Sequence, residues 1–157
     1  RDRLGDGGYA RGARAAQVRD TLLALDRARV EDMLAIQLDH RAHVLQRWRT
    51  LLDDGLDDEA GAARPEREAL RGVLATWSGR AEAGSAAYRM VRAWRLAVKR
   101  AVWAPFAARC EALDPDFTPA DVPYEEGPMW RLVTERPSHL LAPRYRDWDA
   151  LLLASAE

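Results

Sequence analysis

Asp39, His40 and His43 are the side chains whose types come nearest to a metal site. Histidines three apart on a helix share a face, and a neighbouring carboxylate could join them. Zinc needs a third protein ligand and an oriented second shell, and the His-Glu-x-x-His pattern is absent. Arg41 also sets a cation between the two histidines. Solvent-facing or salt-bridged histidines are therefore the stronger reading. The acidic run Asp53, Asp54, Asp57, Asp58 and Glu59 suggests calcium, but it lacks the alternating ligands, central glycine and final glutamate of a calcium loop. It reads as a solvated loop. Gly5-Asp6-Gly7-Gly8 lacks the lysine and hydroxyl residue of a phosphate loop.

Nucleophilic catalysis needs a nucleophile, a base and an orienting group within reach. The serines are Ser78, Ser85, Ser138 and Ser155, and none is framed by nucleophile-elbow glycines. Ser138 precedes His139, yet adjacency in sequence does not aim one side chain at the other. Cys110 is the one cysteine, so it has no internal disulfide partner and no thiolate site to join. Arg89, Arg92, Arg95 and Lys99 make a basic stripe that could meet phosphates. Pairing with acids of a neighbouring segment is the stronger reading, because the formal charge of the whole chain is only −1. That balance argues against a dedicated nucleic-acid binder.

These residues must be positioned by helices. At 157 residues, 48% of them hydrophobic, the chain is long enough for one domain with a real core. No apolar run reaches the length of a membrane span, and no signal-peptide pattern appears in these residues. Ala15, Val18, Leu22 and Leu25 recur at helical spacing. A second helix is expected from about Val30 to Leu52, with Leu34, Leu38, Ala42, Leu45, Trp48 and Leu52 as one stripe. The aspartates around Gly55 should end it. Pro65 suits the first turn of a third helix, with Glu66 and Glu68 at its positive end. Its apolar face is Leu70, Val73, Leu74 and Trp77, and Gly79 closes it.

Ser85 is the N-cap expected for the longest helix, whose apolar face runs from Tyr88 through Val91, Trp94, Val98 and Val102 to Phe106. Pro105 should kink or end it. Prolines at 115, 119, 123, 128, 137 and 143 cut the rest into short pieces, with short helices at Met129 to Val133 and Asp147 to Ala154. The six tryptophans read as core anchors whose indole N–H groups find partners. No strand pattern or internal repeat is evident. The fold class is all-α, an irregular multi-helix domain over 1–157 with about four main helices and short proline-bounded ones.

Three segments in order resemble the penicillin acylase family of N-terminal-nucleophile hydrolases. The first is Gly12-Ala13-Arg14-Ala15-Ala16-Gln17-Val18-Arg19-Asp20, followed by Val30-Glu31-Asp32-Met33-Leu34-Ala35-Ile36-Gln37-Leu38-Asp39. The second is Ala87-Tyr88-Arg89-Met90-Val91-Arg92-Ala93-Trp94-Arg95, continuing to Ala104-Pro105-Phe106. The third is Pro137-Ser138-His139-Leu140-Leu141, then Tyr145-Arg146-Asp147-Trp148-Asp149-Ala150-Leu151-Leu152. Together they span nearly the whole chain.

The resemblance implies a parent amidohydrolase made as a self-cleaving precursor and exported to the periplasm or secreted. In that family a newly exposed N-terminal serine attacks acyl amides, β-lactams and N-acyl homoserine lactones among them. Its own α-amino group is the base, and backbone N–H groups with an asparagine side chain hold the oxyanion. This chain would be a helical excursion from the αββα core within the larger subunit, beginning just after that asparagine. It contains no asparagine and opens on Arg1, so it is expected to be a piece of a longer enzyme, structural and inactive alone. No catalytic residue is expected within it. Where the family often has an arginine close to the active site, this chain has Gln17. Asp6 stands where some members place a carboxylate on a structural calcium ion of the parent; no cofactor is expected in the segment itself. The expected partners are the catalytic core and smaller subunit, or a second copy through uncovered apolar surface. Nucleic acid and membrane are not expected. The alternative is a free-standing helical module that binds a partner or a small apolar ligand.

Overall fold

A computed structural model describes residues 12–56, 64–117 and 125–157. Among these the fold is all-α. Its helices are α1 (Ala13–Leu23), α2 (Val30–Gln37), α3 (His43–Gly55), α4 (Pro65–Ala75), α5 (Ala86–Glu111), α6 (Glu126–Glu135) and α7 (Trp148–Ala154), with a 3-10 turn at Ser138–Leu140. β-pairing is limited, among the described residues, to an isolated bridge between Arg41 and Arg80.

The centre of the fold is α5. Ser85 Oγ accepts the Tyr88 N–H at 3.1 Å, the cap expected of a serine before an alanine-rich start. Val91, Trp94, Val98 and Val102 then step along one buried face. This face packs on α3, α4 and α7. From α3 come Trp48 and Leu52, from α4 Leu74, and from α7 Trp148, Leu151 and Leu152. Met129 and Val133 of α6 join them, fully buried. Pro105 does not end α5, which runs on to Glu111. The proline forfeits one intrahelical bond. Burial of Ala101 and Val102 before it, and the Trp103–Phe106 edge contact at 5.6 Å around it, hold the helix together.

The helix expected from Val30 to Leu52 is two helices. α2 stops at Gln37, and α3 begins at His43. Arg14 of α1 explains the stop. Its guanidinium donates to the carbonyls of Ile36 at 2.6 Å, Gln37 at 2.9 Å and Asp39 at 2.7 Å. These oxygens would otherwise accept the N–H groups of the next turn. A cation at the negative end of α2 is also electrostatically favoured. Between the helices the chain pairs sideways instead: the Ala42 N–H donates to Gly79 at 2.8 Å, and the Ala81 N–H to His40 at 2.9 Å. Gly79, at φ +78°, makes the turn that presents its carbonyl. The expected single stripe is therefore divided. Trp48 and Leu52 are core, Ala42 and Leu45 are half-buried, and Leu34 and Leu38 are exposed.

α4 starts with Pro65 at its first turn, Glu66 and Glu68 following, and buries Leu74. It ends at Ala75, before Gly79. α6 is longer than expected, starting at Glu126. Its end is a left-handed residue, Arg136 at φ 52°, whose N–H reaches Leu132 at 3.0 Å. Pro137 then blocks continuation. Asp147 caps α7 by accepting the Ala150 N–H at 2.7 Å, which holds its carboxyl below the ordinary range. Four indoles donate as expected: Trp48 to Glu126, Trp77 to Arg80, Trp94 to Leu152 and Trp148 to Pro137. The buried Trp103 Nε1 has no acceptor among the described residues.

The three central helices are joined by Glu126. Arg47 of α3 pairs with its Oε1 and Arg95 of α5 with its Oε2, while Trp48 Nε1 donates to Oε1 at 2.9 Å. Removing the carboxylate leaves two largely buried guanidiniums facing one another. Glu126→Ala is expected to cost about 3 kcal/mol in urea unfolding. Arg131→Ala, which breaks only an exposed i,i+4 pair with Glu135, is expected to cost under about 0.5 kcal/mol. Equal costs would show that the Glu126 cluster does not hold the helices together.

Candidate functional site

Gln17 is the one buried polar residue among those described, and it lies on α1. The repeat of Ala15, Val18, Leu22 and Leu25 led to a different face. Ala15 and Leu22 are exposed, and Val18 and Leu25 are half-buried. α1 turns its Gln17 face to the α2–α3 joint because Arg14, one turn earlier, is anchored on the α2 carbonyls. The Gln17 amide nitrogen lies 3.4 Å from the Asp39 carbonyl, a long contact, and the Gln17 carbonyl accepts the Thr21 hydroxyl at 2.8 Å.

Asp39 and Arg41 form the charged part of the joint. Arg41 Nε meets both carboxylate oxygens, at 3.0 and 2.8 Å, and Nη2 meets Oδ2 at 2.5 Å. The Arg41 backbone N–H also donates to Oδ1 at 3.1 Å, closing a local turn. Arg41 Nη2 reaches the Thr21 hydroxyl at 3.3 Å, tying the pair back to α1. The Arg41 guanidinium, followed by the Gln17 amide, holds the Asp39 carboxyl well below the usual carboxylate range, and the same pairing raises Arg41. A carboxylate so stabilised is a poor proton acceptor near neutral pH, so Asp39 is suited to fixing structure and not to general base work.

His40 and His43 do not share a helix face. His40 lies in the break, with Nδ1 3.1 Å from the Leu38 carbonyl and Nε2 3.2 Å from Arg80 Nε, while His43 opens α3. The helical premise of a ligand pair is thus overturned. Among the described residues no group of three metal-capable side chains gathers. Asp6 and the Gly5–Gly8 loop lie outside the described residues, as do Asp57, Asp58 and Glu59. Asp53 is near Arg49, at 3.7 Å.

A crevice of about 400 Å³ opens beside the joint, with Gln17, Asp39, Arg41 and His43 on its walls. The serines are elsewhere. Ser85 Oγ is spent on the α5 cap, and Ser155 Oγ donates to the Leu151 carbonyl at 2.8 Å. Ser138 is exposed at the start of the 3-10 turn that also holds His139. Cys110 is exposed near the end of α5. The basic stripe divides as its charge balance suggested. Arg95 pairs with Glu126 and Lys99 with Glu125, Arg89 donates to the Ala83 carbonyl at 2.6 Å, and Arg92 is exposed. Sequence reasoning missed the roles of Glu125 and Glu126. The available signal was an acidic pair beside a helix start, facing a helix rich in arginine.

The pH sign follows from the depressed Asp39 value. The folded state binds this proton less tightly than the unfolded chain does. The contribution is therefore complete above the unfolded carboxylate value, and it fades as pH falls through that value toward the folded one. Asp39→Asn should lower the neutral plateau of the stability curve and change stability least at low pH, which flattens the acid limb. The Asp39 carboxyl carbon, followed by NMR, should titrate below its unfolded counterpart. A midpoint at or above the unfolded value would show that the Arg41 pair is not formed.

A family model described as penicillin amidase matches residues 2–155, which takes in α1 through α7. Comparison with curated proteins and with solved structures yields no match. With the match covering all of the helices described above, the chain belongs to the penicillin amidase family.

Proposed function

We propose that this chain is a helical wall of a penicillin-amidase-type hydrolase that cleaves acyl amides, and that its role there is architectural. The single observation that carries the reading is the family match over residues 2–155. The residue chemistry is consistent with a supporting role. The Asp39 carboxylate is committed to Arg41, Ser85 to a helix cap, and Arg14 to the end of α2. On this reading the nucleophilic serine and the oxyanion donors belong to the rest of the enzyme. The segment works in a periplasmic or secreted enzyme matured from a precursor, on β-lactam side chains or N-acyl homoserine lactones.

The surface that meets the catalytic core is, on the same reading, the α1–α2 hairpin. Val30, Leu34 and Leu38 recur every four residues and are 82%, 57% and 67% exposed, and Leu23 beside the turn is 78% exposed. Such an apolar stripe on a helix is ordinarily covered by another surface. The family's arginine position is neutral here, at Gln17. Arg14 and Arg41 are already committed to backbone oxygens and to Asp39, so neither replaces that charge without giving up its partners.

The test is amide turnover, measured on the complete natural protein and on this polypeptide by itself. The complete protein should hydrolyse a phenylacetyl or longer acyl amide, and the isolated chain should not. Ser138→Ala should leave kcat unchanged. Leu34→Glu combined with Leu38→Glu should lower the melting temperature of the assembled enzyme without reducing the helix content of the isolated chain. Turnover by the isolated chain that disappears on replacing one of its serines would overturn the architectural role. A complete protein that turns over no acyl amide would overturn the activity.

A further inference from the structure

A trough of about 740 Å³ runs between α4 and α5, a volume typical of small-molecule sites. Leu70 and Val73 of α4 form one wall, and Ala93, Trp94 and Ala97 of α5 the floor. Trp77, just past α4, meets Tyr88 near the start of α5, with ring centroids 6.5 Å apart. The two helices therefore run antiparallel. This brings Arg64 and Arg67, at the start of α4, to the same end of the trough as Arg100 of α5. Val73 and Met90 lie at the other end. One end is thus cationic and the other apolar, roughly 15 Å apart along α5 from Met90 to Arg100.

The cationic end already accepts a carboxylate. Glu157 Oε1 lies 2.6 Å from Arg64 Nη1 and 3.2 Å from Arg67 Nη2. Glu66 stands on the same rim. Among the described residues, Arg100 has no acidic partner. A helix from a protein partner, roughly 10 Å across, would displace more volume over that length than the trough offers. A single hydrocarbon chain fits both its length and its polarity.

We propose that this trough binds a medium-chain amphiphile with a carboxylate head, such as decanoate. The head meets Arg100 and Arg64, and the chain lies over Ala93 and Ala97 toward Val73 and Met90. This site goes beyond the amide-hydrolase reading and is independent of it. The complete natural protein is titrated calorimetrically with decanoate below its micelle threshold, with decanol as the neutral control. One decanoate per chain is expected, bound more tightly than decanol. Arg100→Gln should weaken decanoate about tenfold, the loss of one charge-assisted contact, and leave decanol unchanged. Ala93→Phe, at an exposed position, should block both, with the melting temperature confirming that each variant is folded. No saturable binding, equal binding of acid and alcohol, or indifference to Arg100→Gln would each overturn the proposal. So would binding to anionic phosphatidylglycerol vesicles without binding to monomeric decanoate, which would point to a lipid surface instead.

Discussion

A carboxylate enclosed by helices is costly unless its charge and its lone pairs are met, and Glu126 meets both. Two guanidiniums from different helices and one indole N–H converge on it. Its side chain is only 15% exposed, and Arg47 and Arg95 are 21% and 20% exposed. The surrounding rings extend the network. Arg47 stands 4.2 Å over Trp130, and Trp48 meets Trp94 and Trp130 edge-on at 5.9 and 5.2 Å. The charged groups are thus sheathed in aromatic surface that limits water. Such a network gives α3, α5 and α6 one mutual register, because a shift of any helix by a residue would strand a charge.

The α1–α2 hairpin is organised differently. Its buried apolar content is little more than Ile36, and its order comes from polar contacts. Arg14 gathers three carbonyls, Gln17 sits against Asp39, and Asp39 holds Arg41. Polar contacts specify direction better than they supply stability, since each replaces hydrogen bonds to water. A unit built this way keeps its apolar side chains for another surface.

Arginine serves several distinct purposes within one fold. At Glu126 it bridges helices, at Arg14 it replaces a missing turn of helix, and at Arg64 and Arg67 it fixes the chain near Glu157. Its planar fork suits each of these, because it offers several donors in fixed directions. The near-zero total charge follows from this usage. Many of the arginines are answered by acids close in space, although those acids are often far away in sequence.

Where helices lie was legible from the order of residues, because local rules govern it. Ser85 before an alanine-rich run and Pro65 ahead of two glutamates are capping chemistry that needs no distant partner. The buried face of α5 was equally legible from its period. The family resemblance carried by the three segments agreed with the match over residues 2–155. What tertiary structure alone decided are the places where a distant group outbid a local preference. Arg14 ended α2 inside a sequence whose periodicity continued to Leu52, and core packing carried α5 past Pro105. Gln17 was buried in place of an apolar neighbour because the α2–α3 joint offered it a polar contact. Glu126 found Arg47 and Arg95 far along the chain, a meeting that no local pattern encodes. Periodicity records which face is apolar, whereas charge pairing across helices depends on where the chain returns.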